Sequence, residues 1–447
     1  MILLSKILYN LLLLVGLTLG IPVIIPVILV SKRWRRTFLP RLGLWSPCPA
    51  VSEQRLHKPG ARPIWIHAVS VGEILSIEPL VKNLKRHFSS PAIVLTTATQ
   101  TGFTIAQNRL AESVAAIGYF PFDLPLCVKR TIRSINPECV LIVEHDIWPN
   151  FLFELQRRHI PVILVNARLS QKTYARRQRL SFFMKTVFAT FSAVCVQSPV
   201  DAERFTQLGV PPDRITLTGS VKFDQSDASL AQNDQDQFKH TLNLHAAAKI
   251  FVAGSTHEGE EAILAEVFLK LKKEVPELML IVAPRDPKRA RAVCQLFTSA
   301  GCSAVLMEEV DLVKNRRRVD VIVIDVLGIL KKLYAIADIA FIGGSLVKRG
   351  GHNPIEPAAY SKPILFGPDM SNFAYIAHQL EQAEGAIHLN NADHFYAVAG
   401  MLLNEPDKAR KMGTNAFNVF QTNRGAVEKT LNVIESCLKE HSQRACK

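Results

Sequence analysis

The chain is 447 residues long with 48% hydrophobic residues, enough apolar material for more than one buried core, and its length favours two domains. Its formal charge of +14 suggests a nucleic-acid partner, but residues 1–62 hold nine Lys/Arg against the single acid Glu53. The excess therefore flanks one apolar run and does not line a nucleic-acid face.

That run, Ile7 to Val30, has no charge inside it and is long enough to cross a bilayer, although Asn10, Pro22 and Pro26 make it an imperfect helix. Lys32, Arg33, Arg35 and Arg36 follow it, against Lys6 before it, and no small-residue cleavage site intervenes. The expectation is a retained anchor over residues 1–36 with the rest of the chain on the cytoplasmic side. A helix lying on anionic lipid is the alternative.

From Arg62 onward, short apolar runs alternate with amphipathic stretches. Ile64–His67, Ile93–Thr96, Val140–Val143, Val162–Val165 and Val194–Val196 read as buried parallel strands with helical crossovers, placing one α/β domain at 37–222. Phe223 to Gln237, rich in Asp, Gln and Ser, reads as a linker. The pattern restarts at Ile250–Ala253 and runs through Met279–Val282, Val321–Ile324, Ala340–Ile342 and Ile364–Phe366, giving a second doubly wound domain at 238–447. Ligands of such a pair are expected in a cleft at the carboxyl ends of the strands. Eight cysteines, at 48, 127, 139, 195, 294, 302, 437 and 446, form no CxxC pair and fit free thiols in a reducing compartment.

Several strand ends carry chemistry. Strand Ile64–His67 runs into AVSVGE, where Glu73 is placed to act as a general base. Ser70-x-x-Glu73 is also the capping-box signature, so a purely structural carboxylate is the competing reading. Glu144-His145-Asp146 follows strand Val140–Val143, and neither it nor His257-Glu258-Gly259-Glu260-Glu261 completes a zinc ligand set, so no metal is expected. Lys222, Arg285, Lys348 and Arg349 are candidate cations for a departing phosphate. The run Arg316–Arg318 reads as solvated surface. The stretch Ile342 to Pro368 reads as an anion-binding turn, with Gly343, Gly344, Gly350 and Gly351 permitting close backbone approach. There Asn353 is a helix cap, Pro354 sits at the first helical position and Glu356 stands three residues after the cap. Neither the GxxxxGK[ST] loop nor a well-placed GxGxxG is present, which argues against ATP hydrolysis and dinucleotide redox chemistry.

Taken together, HAVSVGE, EHDIWPN, TGSVKFD, GSTHEGEE, APRDPKR and RGGHNPIEPA resemble, in order, the 3-deoxy-D-manno-octulosonic acid (Kdo) transferases of lipopolysaccharide assembly. The resemblance implies a GT-B fold, two Rossmann-like domains facing a cleft, with CMP-Kdo as donor, a lipid A precursor such as lipid IVA as acceptor, no cofactor and no metal. It makes Glu73 the proton acceptor of an inverting single displacement, and Glu144 and Lys222 the transition-state stabilisers. It assigns CMP binding to Pro284, Arg285, Leu327, Gly328, Ile329, Asn353, Pro354, Ile355 and Glu356. His145 departs from the pattern, since relatives often carry threonine there. The anchor would then serve an inner-membrane enzyme approaching its lipid acceptor sideways, and Tyr174 to Phe191, with Arg176, Arg177, Arg179 and Lys185 beside four phenylalanines, would add a second membrane-facing patch or pack as an ordinary amphipathic helix. Two readings compete: another GT-B transferase using a UDP-sugar, and a noncatalytic membrane scaffold.

Overall fold

A computed structural model describes residues 2–44, 62–88, 91–225, 232–245, 247–313 and 319–445. Cys48, Cys446, Arg316–Arg318 and residues 226–231 of the expected linker lie outside them, as do the side chains at 32–36. The chain divides into two compact units, the first of residues 1–225 with 424–447 and the second of residues 226–423.

In the first unit, seven strands run parallel: β1 (Ile64–His67), β2 (Ile93–Thr97), β3 (Ala116–Tyr119), β4 (Cys139–Val143), β5 (Val162–Ala167), β6 (Ala193–Val196) and β7 (Ile215–Leu217). Their order, β3-β2-β1-β4-β5-β6-β7, reverses direction at the β1/β4 pair, where Ile64 to His67 lie beside Cys139 to Ile142. Every residue of β1, β2, β4 and β5 is buried, as strands covered by helices on both faces require. The second unit repeats the scheme with β8 (Lys249–Thr256), β9 (Leu278–Pro284), β10 (Ala304–Leu306), β11 (Val321–Val323), β12 (Ile339–Ile342), β13 (Ile364–Phe366) and β14 (Ala386–His388). Its order is β10-β11-β9-β8-β12-β13-β14, with the reversal at β8/β12. In such sheets the strand ends beside the reversal are where ligands bind.

Two expectations need correction. The second domain does not run to the C-terminus. The helix Ala426–Ala445 returns to the first unit, where Ala426, Val427, Leu431 and Ile434 are buried against Ile77, Val81 and Cys195 of that core. Asp224, in the 3-10 turn Val221–Gln225, accepts hydrogen bonds from the Gly425 and Val427 amides at 2.8 and 2.7 Å, so the turn read as the start of a linker is a cap for that helix. The remainder of the expected linker, from Gln232, is a helix of the second unit.

The membrane-crossing anchor is not found either: among the described residues no helix is long and apolar enough to cross a membrane. The N-terminal segment is helical from Ile2 to Val30, through Pro22 and Pro26, but its polar residues belong to the protein. Tyr9 donates its hydroxyl to Asp123 at 2.9 Å, and Asn10 and Asn150 exchange side-chain amide bonds at 2.8 and 2.9 Å. The opposite face, including Leu8, Leu11, Leu12, Val15 and Leu19, is exposed. The Tyr174–Phe191 stretch forms two short helices in which Phe188 and Phe191 are buried while Leu180 and Phe182 are exposed. Cys127, Cys139, Cys195 and Cys302 are buried free thiols, and Cys294 and Cys437 are half-buried ones.

Candidate active site

The first unit gathers charged groups at the carboxyl ends of its central strands. After β1 the chain turns at Ser70, whose side chain caps the helix Val71–His87. The Glu73 amide donates to the Ser70 hydroxyl at 3.4 Å, and the Glu73 carboxylate accepts from that hydroxyl at 3.3 Å and from the Val69 amide at 2.7 Å, a capping-box variant that reaches one residue before the cap. That role leaves the carboxyl partly buried and only partly compensated. Burial first, then the charges of Glu144 and Asp146, outweigh these two hydrogen bonds and push Glu73 up to about 7.

Glu144 comes directly after β4 with φ +60, a left-handed backbone uncommon for a residue with a Cβ. The turn aims its carboxylate back at the sheet end, 3.1 Å from Nε of Arg168 and 3.4 Å from Nζ of Lys222. Burial alone would raise its pKa, but the two cations together hold it below the ordinary range. Lys222 is pushed down by burial against the opposing pull of Glu144. Asp146 accepts from Nε2 of His67 at 2.9 Å and from the Trp148 indole at 2.5 Å, and the His67 ring stacks on Phe120 at 3.8 Å. Burial would raise Asp146, but the His67 and Trp148 hydrogen bonds together with the attraction of His67 and His145 outweigh it and hold Asp146 below the ordinary range.

The structure thus brings Glu73, Glu144 and Lys222 into one electrostatic cluster. It adds Arg168, His67 and Arg177, which sequence reasoning missed. Arg177 donates to the His145 carbonyl at 2.7 Å, and burial lowers it to about 10. Arg168 had a usable signal, since it directly follows β5. His67 had none, because its partner stands 79 residues away. Chemically, the cluster pairs a carboxyl able to lose its proton near neutral pH with a charge-compensated carboxylate and buried cations.

In the second unit, Arg285 follows β9 exposed, its amide donating to the Thr256 carbonyl at 3.0 Å. Asn353 accepts from the Ile355 amide at 3.1 Å and donates to Glu356 at 3.3 Å, and the helix that follows, Ile355–Ala359, is a single turn. Burial raises Glu356 against the attraction of Lys331, Asn353 and Arg285. Leu327 and Gly328, exposed with Gly328 at φ +90, and the half-buried Ile329 form a turn before the helix Leu330–Ile336 that carries Lys331. Pro284 ends β9 buried, and Pro354 and Ile355 are buried at the short helix.

The glycine-rich turn differs from expectation. Its amides are occupied by the protein's own carboxylate: Glu260 accepts from Gly344 at 2.7 Å, from Ser345 and Leu346 at 3.0 Å and from His257 at 2.9 Å. Gly350 donates to Asp369 at 2.7 Å. The turn binds an anion, as its composition requires, but the anion is internal. Lys348 and Arg349 remain exposed.

A family model described as 3-deoxy-D-manno-octulosonic-acid transferase (kdotransferase) matches residues 37–225. The 3-deoxy-D-manno-octulosonic acid transferase of Haemophilus influenzae is 31% identical over 416 residues, covering 92% of this chain and 93% of its own. The transferase of the same description from Rickettsia bellii is 30% identical over 374 residues, covering 83% and 87%. Among solved structures, the UDP-GlcNAc 2-epimerase of Neisseria meningitidis, bound to UDP-GlcNAc, superposes with a TM-score of 0.59 at 13% identity, over 84% of this chain and 100% of its own. That likeness shows the fold, two doubly wound units of the GT-B kind.

Proposed function

The chain belongs to the Kdo transferases, glycosyltransferases of lipopolysaccharide synthesis, and from that premise we propose that it moves Kdo from CMP-Kdo to a lipid A precursor with Glu73 as general base. The observation that carries the residue assignment is the Glu73 carboxyl itself, beside the reversal of the first sheet and poised at about 7. A carboxyl with that affinity is about half ionised at neutral pH, and its ionised form is a stronger proton acceptor than an ordinary carboxylate. In the reaction, an acceptor hydroxyl gives its proton to Glu73 while its oxygen bonds the anomeric carbon of Kdo. The bond from that carbon to phosphate breaks with its electron pair staying on the phosphate, and CMP leaves. A single displacement of this kind inverts the anomeric centre. Glu144, held ionised by Arg168 and Lys222, fixes those cations, and Lys222 meets negative charge developing in the transition state.

On the second unit, Arg285 is the phosphate contact, and Asn353 with Glu356 accepts the ribose hydroxyls, flanked by Pro284, Pro354 and Ile355. The Leu327-Gly328-Ile329 turn offers backbone groups to the cytosine end. The exposed Leu-rich face of the N-terminal helix, with Leu126, Leu180 and Phe182 exposed in the same unit, rests on the cytoplasmic face of the inner membrane as a surface helix. This replaces a spanning anchor and still brings the enzyme to a lipid acceptor.

The test is incubation of the full chain with CMP-Kdo and a tetraacylated lipid A precursor in mixed vesicles, followed by mass spectrometry. A Kdo-lipid and CMP should appear, and Glu73→Gln should slow the formation of both by about 10²- to 10⁴-fold. A folded wild-type protein that forms no product, while a control transferase does, defeats the reading.

A further inference from the structure

The reversal of the second sheet holds two histidines to which the proposed donor contacts give no role. His257 follows β8 and His352 follows the turn after β12, 95 residues apart in the chain. Their Nε2 atoms lie 2.9 Å apart, with the rings nearly parallel at 5° and their centroids separated by 5.1 Å. Both backbones are pinned, His257 by its amide bond to Glu260 at 2.9 Å and His352 by its amide bond to the Gly343 carbonyl at 3.1 Å. Gly344, at φ +71, lies under the rings. A Cβ there would meet His352 at 3.0 Å and His257 at 3.4 Å, so a glycine is what leaves room for the pair.

Two imidazoles facing each other through Nε2 hold one proton between them, one ring donating and the other accepting. A second proton would set two N–H groups head to head. Among the described residues neither side chain makes a hydrogen bond except to the other. The charges that act on His257 are Arg349, Glu261, Arg289 and Arg285, and His352 feels Arg285 and His257. Glu261 is already committed, bonding Arg289 at 2.9 and 3.3 Å and Thr256 at 3.0 Å. Glu260 is spent on four amides. Burial first, and then these cations, push both rings down, His352 to about 4. The pair is therefore neutral at pH 7, in a field of arginines whose nearest acids are engaged.

We propose that His257 and His352, together with Arg285 and Arg349, bind a phosphate oxyanion of the donor nucleotide and take up a proton as they do so. The inference rests on the cytidine-nucleotide reading above and adds residues and a protonation step to it. An oxyanion entering the pair replaces the Nε2 to Nε2 hydrogen bond with two N–H donors aimed at oxygen, and its charge favours the imidazolium that supplies the second donor. When the sugar-to-phosphate bond breaks and the electron pair stays on phosphate, those donors already face the oxygen that gains charge.

Titration calorimetry of the full chain with CMP at pH 7, in two buffers of different ionisation enthalpy, reads both affinity and proton exchange. Wild type should bind CMP with net proton uptake. His352→Asn and His257→Asn should each bind CMP about tenfold to a hundredfold more weakly and lose the uptake. Should either variant fail to fold by circular dichroism, histidine ring 15N shifts of the wild type titrated with CMP give the same answer, since one ring of the pair must move to the imidazolium pattern. CMP binding without uptake, unchanged in folded variants or with unmoved ring shifts, overturns this inference and leaves the donor reading standing. No CMP binding by wild type overturns the donor reading as well.

Discussion

At Glu73, one side chain holds a helix start and a proton affinity near neutrality, and the two roles predict different things. A carboxyl raised by burial is protonated at low pH and useless there as a base. Turnover should therefore rise with pH through about 7 and level off above it, as followed by CMP release from pH 5.5 to 8.5. Glu73→Gln should lower kcat by about 10²- to 10⁴-fold on the plateau above pH 7, with the gap to wild type narrowing toward pH 5.5. Stability runs the other way. The folded state holds this proton more tightly than the unfolded chain, whose carboxyl titrates near 4.5, so stability falls as pH rises from there to about 7 and is constant above. Glutamine can still accept from the Val69 amide through its side-chain oxygen and carries no charge to desolvate. Scanning calorimetry at pH 8 should find Glu73→Gln at least as stable as wild type. A variant equally destabilised at pH 5 and pH 8 would show that the carboxylate is a cap and nothing more.

At the scale of elements, the strands read correctly from sequence are interior ones, such as β1, β4 and β8, whose burial on both faces leaves unbroken apolar runs. The four strands that passed unread, β3, β7, β10 and β14, are the four sheet edges. Three of them are three residues long and only partly buried, β7 (Ile215–Leu217) having Thr216 and Leu217 exposed, whereas β3 is four residues and buried throughout. The C-terminal helix was misplaced for a related reason. Its apolar stripe shows that it packs, but which core receives it depends on Asp224, about 200 residues earlier. The His257–His352 pair was hidden in the same way, each ring looking solitary until the strand order brought both to one reversal. Glu144 could be singled out because it directly follows β4, whereas Glu73 and Lys222 stand a few residues beyond β1 and β7 and were singled out by their motifs. The helix placement is testable. Asp224→Ala removes the acceptor for two amides of the first turn and should lower the stability of the first unit by about 1–2 kcal/mol in urea unfolding. Deleting residues 424–447 strips Ala426, Val427, Leu431 and Ile434 from a buried core and should leave the first unit aggregated, with solubility recovered by supplying that segment as a separate peptide. A deletion that stays soluble and melts like wild type would show the helix to be an ornament.

For the whole molecule, the path of the chain makes the two units unequal. The first is discontinuous, closed only when the last residues return, whereas the second is a single stretch, 226–423, with its own seven-stranded sheet and its own core around Phe251, Phe268, Phe341 and Phe395. A continuous segment with a complete core has what it needs to fold alone. Every residue assigned here to the nucleotide, from Pro284 and Arg285 through Leu327–Ile329 to Asn353–Glu356, and both histidines of the proposed phosphate site, lie inside it. The fragment 226–423 should therefore melt cooperatively and bind CMP with an affinity close to that of the full chain, measured by calorimetry side by side. It should transfer no sugar, because Glu73, Glu144 and Lys222 are absent from it. A fragment that folds but binds CMP far more weakly than the full chain would mean that the first unit supplies nucleotide contacts, and the division of donor and acceptor between the two units would be wrong.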